Sequence, residues 1–534
     1  MGFETKAFRV LIVAAVSAVC LGDSADATLA TVYRTSNNTW TVEFGKRDSS
    51  SGAAWGSFQD GNSTKSNFGS LSLQSSDAEE DVNQMFAIGF LEGALTAERI
   101  FQEVENLKEV VLMHYGKLPS TDPKDFPKLI EFLDANDKWC REQVSQHPED
   151  AFFRSLGLVL AQFDGLRAGY AAVAPQNESL SLFDFQLLNG VGDFFDLIPA
   201  VMPKLRRNFS ELSNDEIESY IFQSGKCSAL IKILGDYSNI FFSHTAWWSY
   251  NSMIRMMKHY RTPLKDEAVT SKDVSFSSYP GFLESLDDFY LMGNGLVMIQ
   301  TTNAVFNQTL YDLVVPESVL AWQRVRVASL IATDAKDWHT RMATHNSGTY
   351  ENQYMVLDLN KFSPGEPLVP DTLWVGEQIP GHYVATDTTV HLERGYWPSY
   401  NVPYQPEIYE LSGYPEIVQK LGPDQSYDLA PRAKIFRRDQ GSVVDMDSFK
   451  KIMRYNDFEN DPYSEGSPMN AICSRGDLKT PPSAGGCVDC KVSDVAMAKK
   501  LQSEVVNGPS STASSYGPGQ KPFRWSDYPT LDNS

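Results

Sequence analysis

From Asp81 onward, Val82, Met85, Phe86, Ile88, Phe90, Leu91, Leu95, Ile100 and Phe101 recur largely at three- and four-residue intervals, the spacing of one helix face. The pattern predicts a long amphipathic helix with breaks at Gly89 and Gly93. Similar spacing predicts helices over 125–145, 151–170 and 213–223. The preceding stretch, 48–80, is rich in Ser, Gly, Asn and Asp and reads as loop. After residue 226 the texture changes to short apolar runs bounded by Gly, Asn and Pro: Ser228–Leu234, Gly295–Gln300, Tyr354–Asp358 and Ala433–Phe436. These predict strands, with helices between them near 246–260, 316–333 and 445–455 and a loop over 507–519. Apolar residues at consecutive strand positions mean that both faces are covered, so the sheets are expected inside helical layers. There is no internal repeat.

The first residues carry a different signal. Lys6 and Arg9 precede the apolar run Val10–Leu21, and Ala25-Asp26-Ala27 offers small residues at a cleavage spacing, so 1–27 reads as a secretory signal peptide. No later stretch reaches about 18 uninterrupted apolar residues, and a membrane span is not expected in the mature chain. Composition narrows the partners. The 534 residues carry 68 acidic and 46 basic side chains, a net charge of −22, which opposes binding to nucleic acid. A hydrophobic fraction of 42% with 12% aromatics is enough for a packed core and excludes a disordered acidic polymer.

Six cysteines are present, and Cys20 would leave with the signal. In an oxidising compartment the remaining five, Cys140, Cys227, Cys473, Cys487 and Cys490, predict two disulfides and one free thiol. Cys487 and Cys490 have zinc-like spacing, but no second pair accompanies them and the eight histidines are scattered, so no metal is expected. Asn37, Asn62, Asn177, Asn208 and Asn307 begin Asn-x-Ser/Thr triplets suited to glycosylation.

The odd thiol is the natural place to look for chemistry. Cys227 heads the first clear strand, after Ser224-Gly225-Lys226. Gly-Lys-Cys-Ser is not a phosphate loop, because Tyr220 replaces the upstream glycine and cysteine replaces the Ser/Thr. A hairpin turning at Gly235-Asp236 would set Cys227 directly opposite His244, with β-carbons about 4.5–5.5 Å apart. A histidine beside a cysteine can favour a thiolate nucleophile. Neither GxSxG nor HExxH occurs, which removes the commonest serine-hydrolase and zinc-protease signatures.

Several segments together are distinctive: Cys227-Ser-Ala-Leu-Ile-Lys, Ser243-His-Thr-Ala-Trp247, Ser277-Ser-Tyr-Pro-Gly281, Asp287-Asp-Phe-Tyr290, Ser347-Gly-Thr-Tyr-Glu-Asn-Gln353, Glu377-Gln-Ile-Pro-Gly381, Tyr396-Trp-Pro-Ser-Tyr-Asn401, Pro431-Arg-Ala-Lys-Ile-Phe436 and Arg454-Tyr-Asn-Asp-Phe458. In this order they resemble the phospholipase B-like family, over most of the chain from about residue 80 to Phe523-Arg-Trp525. The resemblance implies an α+β fold, a four-layer αββα sandwich of the N-terminal nucleophile hydrolase type, in a lysosomal or secreted glycoprotein. It implies a cut between Lys226 and Cys227, dividing a mainly helical 28–226 fragment from a catalytic 227–534 fragment that begins with the nucleophile. His244 would orient that nucleophile, and Asn352 would donate to the oxyanion. Trp247 would donate its indole N–H or line the pocket, Thr302, favoured over Thr301 in a Thr-Thr element that ends the strand Gly295–Gln300, would belong to the site, and Arg432 would bind an anionic substrate group. It further implies a Cys473–Cys487 bridge, leaving Cys140 with Cys490 by subtraction. Arg475-Gly-Asp477 looks like an adhesion motif but lies inside a family segment and is discounted.

These features favour release of fatty acyl chains from phospholipids without cofactor or metal. An amidase acting on N-acyl lipids or peptides and a non-catalytic lipid-binding glycoprotein are the alternatives. A homodimer and peripheral membrane contact are left open; contact with anionic membranes should strengthen at low pH, where part of the −22 charge is neutralised.

Overall fold

The computed structural model describes residues 27–64, 66–115, 123–223, 226–510, 521–524 and 527–528. The signal segment, all but Ala27, and most of the expected 507–519 loop lie outside the described residues. The chain opens with four strands, β1 (Thr28–Arg34), β2 (Trp40–Phe44), β3 (Ala54–Gln59) and β4 (Gly69–Ser75). Two of them fall in the stretch read as loop, where alternating small and apolar residues are enough once a sheet covers them. Helices follow: α1 (Asp81–Leu95), α2 (Ala97–Tyr115), α3 (Pro127–Gln146), α4 (Ala151–Val173), α5 (Leu182–Val201) and α6 (Asn214–Gln223). The break after α1 comes at Thr96, not at the glycines. Gly89 and Gly93 are helical because α4 crosses there: a β-carbon at either would lie 2.0–2.1 Å from a carbonyl oxygen of Gln162 or Leu166.

Then come the hairpin β5 (Lys226–Ile233) and β6 (Ile240–Ser249), and the run β7 (Met256–Arg261), β8 (Asp273–Ser278), β9 (Phe289–Met292) and β10 (Leu296–Thr302). The helix expected over 246–260 is therefore two strands and a loop, its closely spaced aromatics and methionines packing on sheet faces. After α7 (Ala321–Ile331) and α8 (Ala335–Ala343) the chain adds β11 (Asn352–Asp358), β12 (Leu373–Ile379), β13 (His382–Asp387), β14 (Tyr396–Ser399), β15 (Gly485–Cys487), β16 (Asp489–Asp494) and β17 (Glu504–Asn507). Ala433–Phe436, expected as a strand, lies in a helix over Pro431–Asp439, which Pro431 starts at its first turn.

Eleven strands form one sheet in the order β13-β12-β11-β10-β9-β8-β7-β4-β3-β1-β2, and six form another around β14-β5-β6-β16-β17. The parallel β4–β7 pair joins segments on either side of residue 226, so the 28–226 segment contributes strands as well as helices and both segments share one sheet. The two sheets face each other across Ala229, Ile231, Phe242, Val297, Ile299 and Met355. On the outer face of the large sheet pack α1, α4, α5 and α7, through Phe90, Leu166, Leu188 and Val325 against Tyr290 and Met298. On the outer face of the small sheet, Leu230, Phe241 and Val492 pack on Phe436 and Phe449 of C-terminal helices. The layers of this α+β sandwich thus run helix, sheet, sheet, helix.

Candidate active site

Cys227 is the second residue of β5. The hairpin pairs it with Ala246 and pairs His244 with Ala229. The offset from the expected register is two residues because the turn centres on Asp236 and Tyr237, with Tyr237 left-handed at φ 58° and Leu234 N–H bonded to the Asn239 carbonyl. A shift of two keeps every side chain on its face. Cys227 and His244 therefore share a face as diagonal neighbours and are not directly opposed.

The Cys227 peptide is held from both ends. Its N–H donates to Asn401 Oδ1 at 3.1 Å, and its carbonyl accepts from Arg432 Nη1. Arg432 also donates to Asn401 Oδ1 at 2.8 Å and to the Tyr400 carbonyl at 2.7 Å, and lies 4.2 Å above the Trp247 ring. Asn401, two residues beyond β14 and left-handed at φ 69°, donates its Nδ2 to the Thr302 carbonyl at 2.6 Å. Asn401 thus ties together β5, the end of β10 and Arg432. Both terminal nitrogens of Arg432 are spent on the protein, so its charge positions the Cys227 peptide and is not presented to a substrate anion.

Cys227, 5% exposed, lines a cavity of about 50 Å³ together with Thr302, Asn303, Trp247, Phe195 and Asp196. On this measure it has room for a few waters. Burial pushes the thiol up to about 12, with the Trp247 backbone N–H and Lys491 acting against it, so in the uncut chain the sulfur keeps its proton. The cavity also holds Asp196, which burial raises to about 7 although Tyr311 O–H and the Tyr350 N–H donate to it.

His244 stands behind this cavity, fully buried, with neither ring nitrogen in hydrogen-bond geometry to a partner. Its Nδ1 is 3.8 Å from Asp287 Oδ2. Burial, with Lys491 adding to it, holds the imidazole well below its ordinary value and therefore neutral. Asp287 is shared between Arg255 at 2.8 Å and Lys491; burial alone would raise it, and the two cations overcome that and hold it below the usual carboxylate range. His244, Asp287 and Asp489 come within 4.8 Å of one another. Arg255 and Lys491 also engage Asp489, at 2.8 and 2.7 Å, so this trio already carries two cations and is poorly suited to a metal ion.

A sequence profile of the phospholipase B family matches residues 54–534. The chain belongs to that family. Phospholipase B-like 1 of Bos taurus is 46% identical over 447 residues, covering 83% of this chain and 78% of its own. Phospholipase B of Crotalus adamanteus is 44% identical over 433 residues, 80% of this chain and 76% of its own. Phospholipase B-like protein G of Dictyostelium discoideum is 36% identical over 505 residues, 88% of this chain and 79% of its own.

Within this phospholipase B-like chain the other site residues sort by geometry. Trp247 gives its indole N–H to the Ile472 carbonyl at 3.0 Å, so of its two expected roles only the ring face remains. Thr302 lines the cavity, whereas Thr301 turns the other way to Ser399 at 2.6 Å. Asn352 pairs with Thr302 across β10 and β11, but its Nδ2 donates to Tyr354 O–H at 3.1 Å and it does not line the cavity. The amide that touches Cys227 is Asn401, and its signal was the closing residue of Tyr396-Trp-Pro-Ser-Tyr-Asn401. Lys226 pairs with Trp247 through its backbone; its side chain lies outside the described atoms.

Cys473 and Cys487 form a disulfide with Cα atoms 5.0 Å apart. The Cys140–Cys490 bridge is not made. Cys140 sits among α3 side chains facing Ser318, Cys490 sits beside Ser243 on the outer face of the small sheet, and they belong to separate cores. Among the described residues three thiols, Cys140, Cys227 and Cys490, are free where one was expected. Arg475 is buried in an ion pair with Asp477 at 2.6 Å and binds the Ser510 carbonyl, which disposes of the adhesion reading.

Asn37, Asn62, Asn177 and Asn208 are exposed. Asn307 is half-buried, and its Nδ2, the atom that would carry the sugar, donates to the Leu411 carbonyl at 3.1 Å. Glycopeptide mass spectrometry of secreted protein is expected to find glycan at the four exposed sites and unmodified Asn307. A fully occupied Asn307 would contradict this geometry.

Proposed function

We propose that the protein is a phospholipase B-like hydrolase of the N-terminal nucleophile type, matured by its own Cys227 in the secretory pathway or lysosome. In the uncut chain Sγ attacks the Lys226 carbonyl carbon, the peptide C–N bond breaks, and the nitrogen takes the thiol proton. Water then hydrolyses the thioester, leaving the Lys226 carboxylate and a free Cys227 α-amine. With an ordinary pKa of about 7.7–8.0, that amine serves as base for its own thiol. The thiolate attacks an acyl carbonyl, the alcohol or amine leaves, and water releases the acid.

The observation that carries this reading is the clamp on the Cys227 peptide, which has its nitrogen on Asn401 and its carbonyl on Arg432 in a residue that lines the cavity. After the cut the same Asn401 oxygen would accept from the α-amine and hold it beside the sulfur. Thr302 and Asn303 line the same cavity as Cys227, and a donor from either would be worth about 2.7–4 kcal/mol if aimed at a developing oxyanion. His244, neutral and buried, lies on the face of the small sheet that carries Cys227 and packs 3.8 Å from Asp287.

Maturation itself cleaves an amide, so the same machinery suits N-acyl amides. The test is acyl release by the processed protein from phosphatidylcholine and, separately, from an N-acyl ethanolamine. Faster release from the phospholipid is expected; a preference for the amide moves the assignment to amidase, and no turnover of either lipid sinks both.

A further inference from the structure

Two carboxyls line the Cys227 cavity, Asp196 and Asp287, and their surroundings set them apart. Asp287 accepts from Arg255 at 2.8 Å, from Ser277 Oγ at 3.0 Å and from Lys491, so it stays ionised and has no proton to give. Asp196 is held only by neutral donors among the described residues. Its Oδ1 accepts from Tyr311 O–H at 2.7 Å and its Oδ2 from the Tyr350 N–H at 2.8 Å, and burial raises it to about 7 in spite of both. Two carboxyls driven apart in this way beside one nucleophile divide into an acid and an anion.

The local structure keeps Asp196 in this state. Gly192 precedes it by one turn of α5, and a β-carbon there would lie 2.6 Å from the Tyr350 ring. Without one the ring packs onto α5, and Tyr350, left-handed at φ 56°, gives its N–H to Asp196. Asp193 on the same helix adds its repulsion, and Glu351, next to Tyr350, is raised by Asp196 in turn. Arg324 serves Asp193 and Glu351. The other titratable side chains on the cavity wall, besides Tyr350, are His114, Tyr220, Tyr279 and Cys227 itself.

Acylation of Cys227 by an ester needs a proton for the departing oxygen, which as a free alkoxide is a strong base. We propose that Asp196 is the general acid of acylation, giving its proton to the departing alcohol directly or through one cavity water. This rests on the reading of Cys227 as an acyl nucleophile, and it supplies the proton which that reading leaves unassigned. As the C–O bond breaks, its electron pair stays on the alcohol oxygen, which takes the Asp196 proton. The products are the free alcohol, the Cys227 thioester and the Asp196 carboxylate. That carboxylate then takes a proton from the water that attacks the thioester; the fatty acid and the Cys227 thiolate separate, and Asp196 is protonated again.

The leaving group provides the test, because a nitrophenolate departs without a proton and an alkoxide does not. On the processed protein kcat/KM is measured for phosphatidylcholine and for the p-nitrophenyl ester of the same fatty acid, in the wild type and in Asp196→Asn, which keeps an oxygen to accept from Tyr311. The variant is expected to lose about 10²-fold or more with phosphatidylcholine, and at least tenfold less with the nitrophenyl ester. Equal effects on the two substrates overturn the assignment, since a distorted cavity, or a proton drawn from the Cys227 α-ammonium, would give that result. Tyr311→Phe removes a hydrogen bond that favours the carboxylate form of Asp196 and is expected to move the alkaline limb of the phosphatidylcholine profile to higher pH. A limb left in place also overturns the assignment, and this variant decides alone if Asp196→Asn fails to fold or mature. Nitrophenyl ester turnover that survives Cys227→Ala would refute the nucleophile itself, whereas equal effects in Asp196→Asn refute the general acid alone.

Discussion

Cys227→Ala is expected to leave the Lys226–Cys227 peptide intact and to abolish acyl release, a loss of about 10⁴-fold or more on the scale seen when a nucleophile is removed from a catalytic unit. The fold should survive. The side chain is small, β5 is anchored by its pairing with β6 and β14, and the clamp uses the Cys227 backbone, which alanine keeps. Circular dichroism and thermal melting on the variant should therefore match the uncut wild type while lipid assays read background. An uncut variant that still releases fatty acid at a rate near the wild type would place the chemistry elsewhere.

The second large effect is on stability against pH. Burial raises Asp196 and Glu377 to about 7 and Glu103 to about 8, and it holds Glu284, Asp288 and Glu351 well above the ordinary range. All the carboxyl oxygens of the last three lack hydrogen-bond partners, and the charge of Arg326 near Glu284 and of Arg324 near Glu351 only partly offsets the cost of ionising them. A carboxyl whose folded value exceeds its unfolded value binds more protons in the folded state. Its contribution is complete below the unfolded value of about 4 and disappears as pH rises through the folded value. Asp287 has the opposite sign and loses its contribution when pH falls below about 4. The melting temperature is therefore expected to be highest near pH 5 and to drop markedly by pH 8, with Glu103→Gln lessening the drop. A melting temperature that climbs from pH 5 to pH 8 would show that these groups are solvated or paired in solution.

How far the fold and site could be read from the residues depends on how local each signal is. Helices α3, α4 and α6 follow from spacing alone, and the β5–β6 hairpin follows from two apolar runs and a turn. Strands β1 to β4 do not, because Ala30, Val32, Leu71 and Leu73 become core only when α1 covers them. The segment from Trp247 to Met257 has helix-like spacing, yet sheet pairing overrides it through Met256 and Ser278. The register of the hairpin turned on one backbone torsion, the left-handed Tyr237, for which tyrosine gives no cue. At the site, Cys227 stands out by its position at the head of β5; the count does not single it out, because Cys140 and Cys490 are free as well. Asn401 does not stand out, since its function depends on a bend after β14 that brings residues 174 apart into contact. The cysteine pairing failed for a similar reason: subtraction assumes that every cysteine finds a partner, and the cores keep Cys140 and Cys490 apart.

Self-processing at Cys227 is tested by purifying the uncut protein, holding it at pH 5 with protease inhibitors, and sequencing the new N-termini by mass spectrometry. A fragment beginning Cys227-Ser-Ala-Leu is expected from the wild type at a rate independent of protein concentration, and none from Cys227→Ala. A cut at Lys226–Cys227 that persists in Cys227→Ala would contradict it.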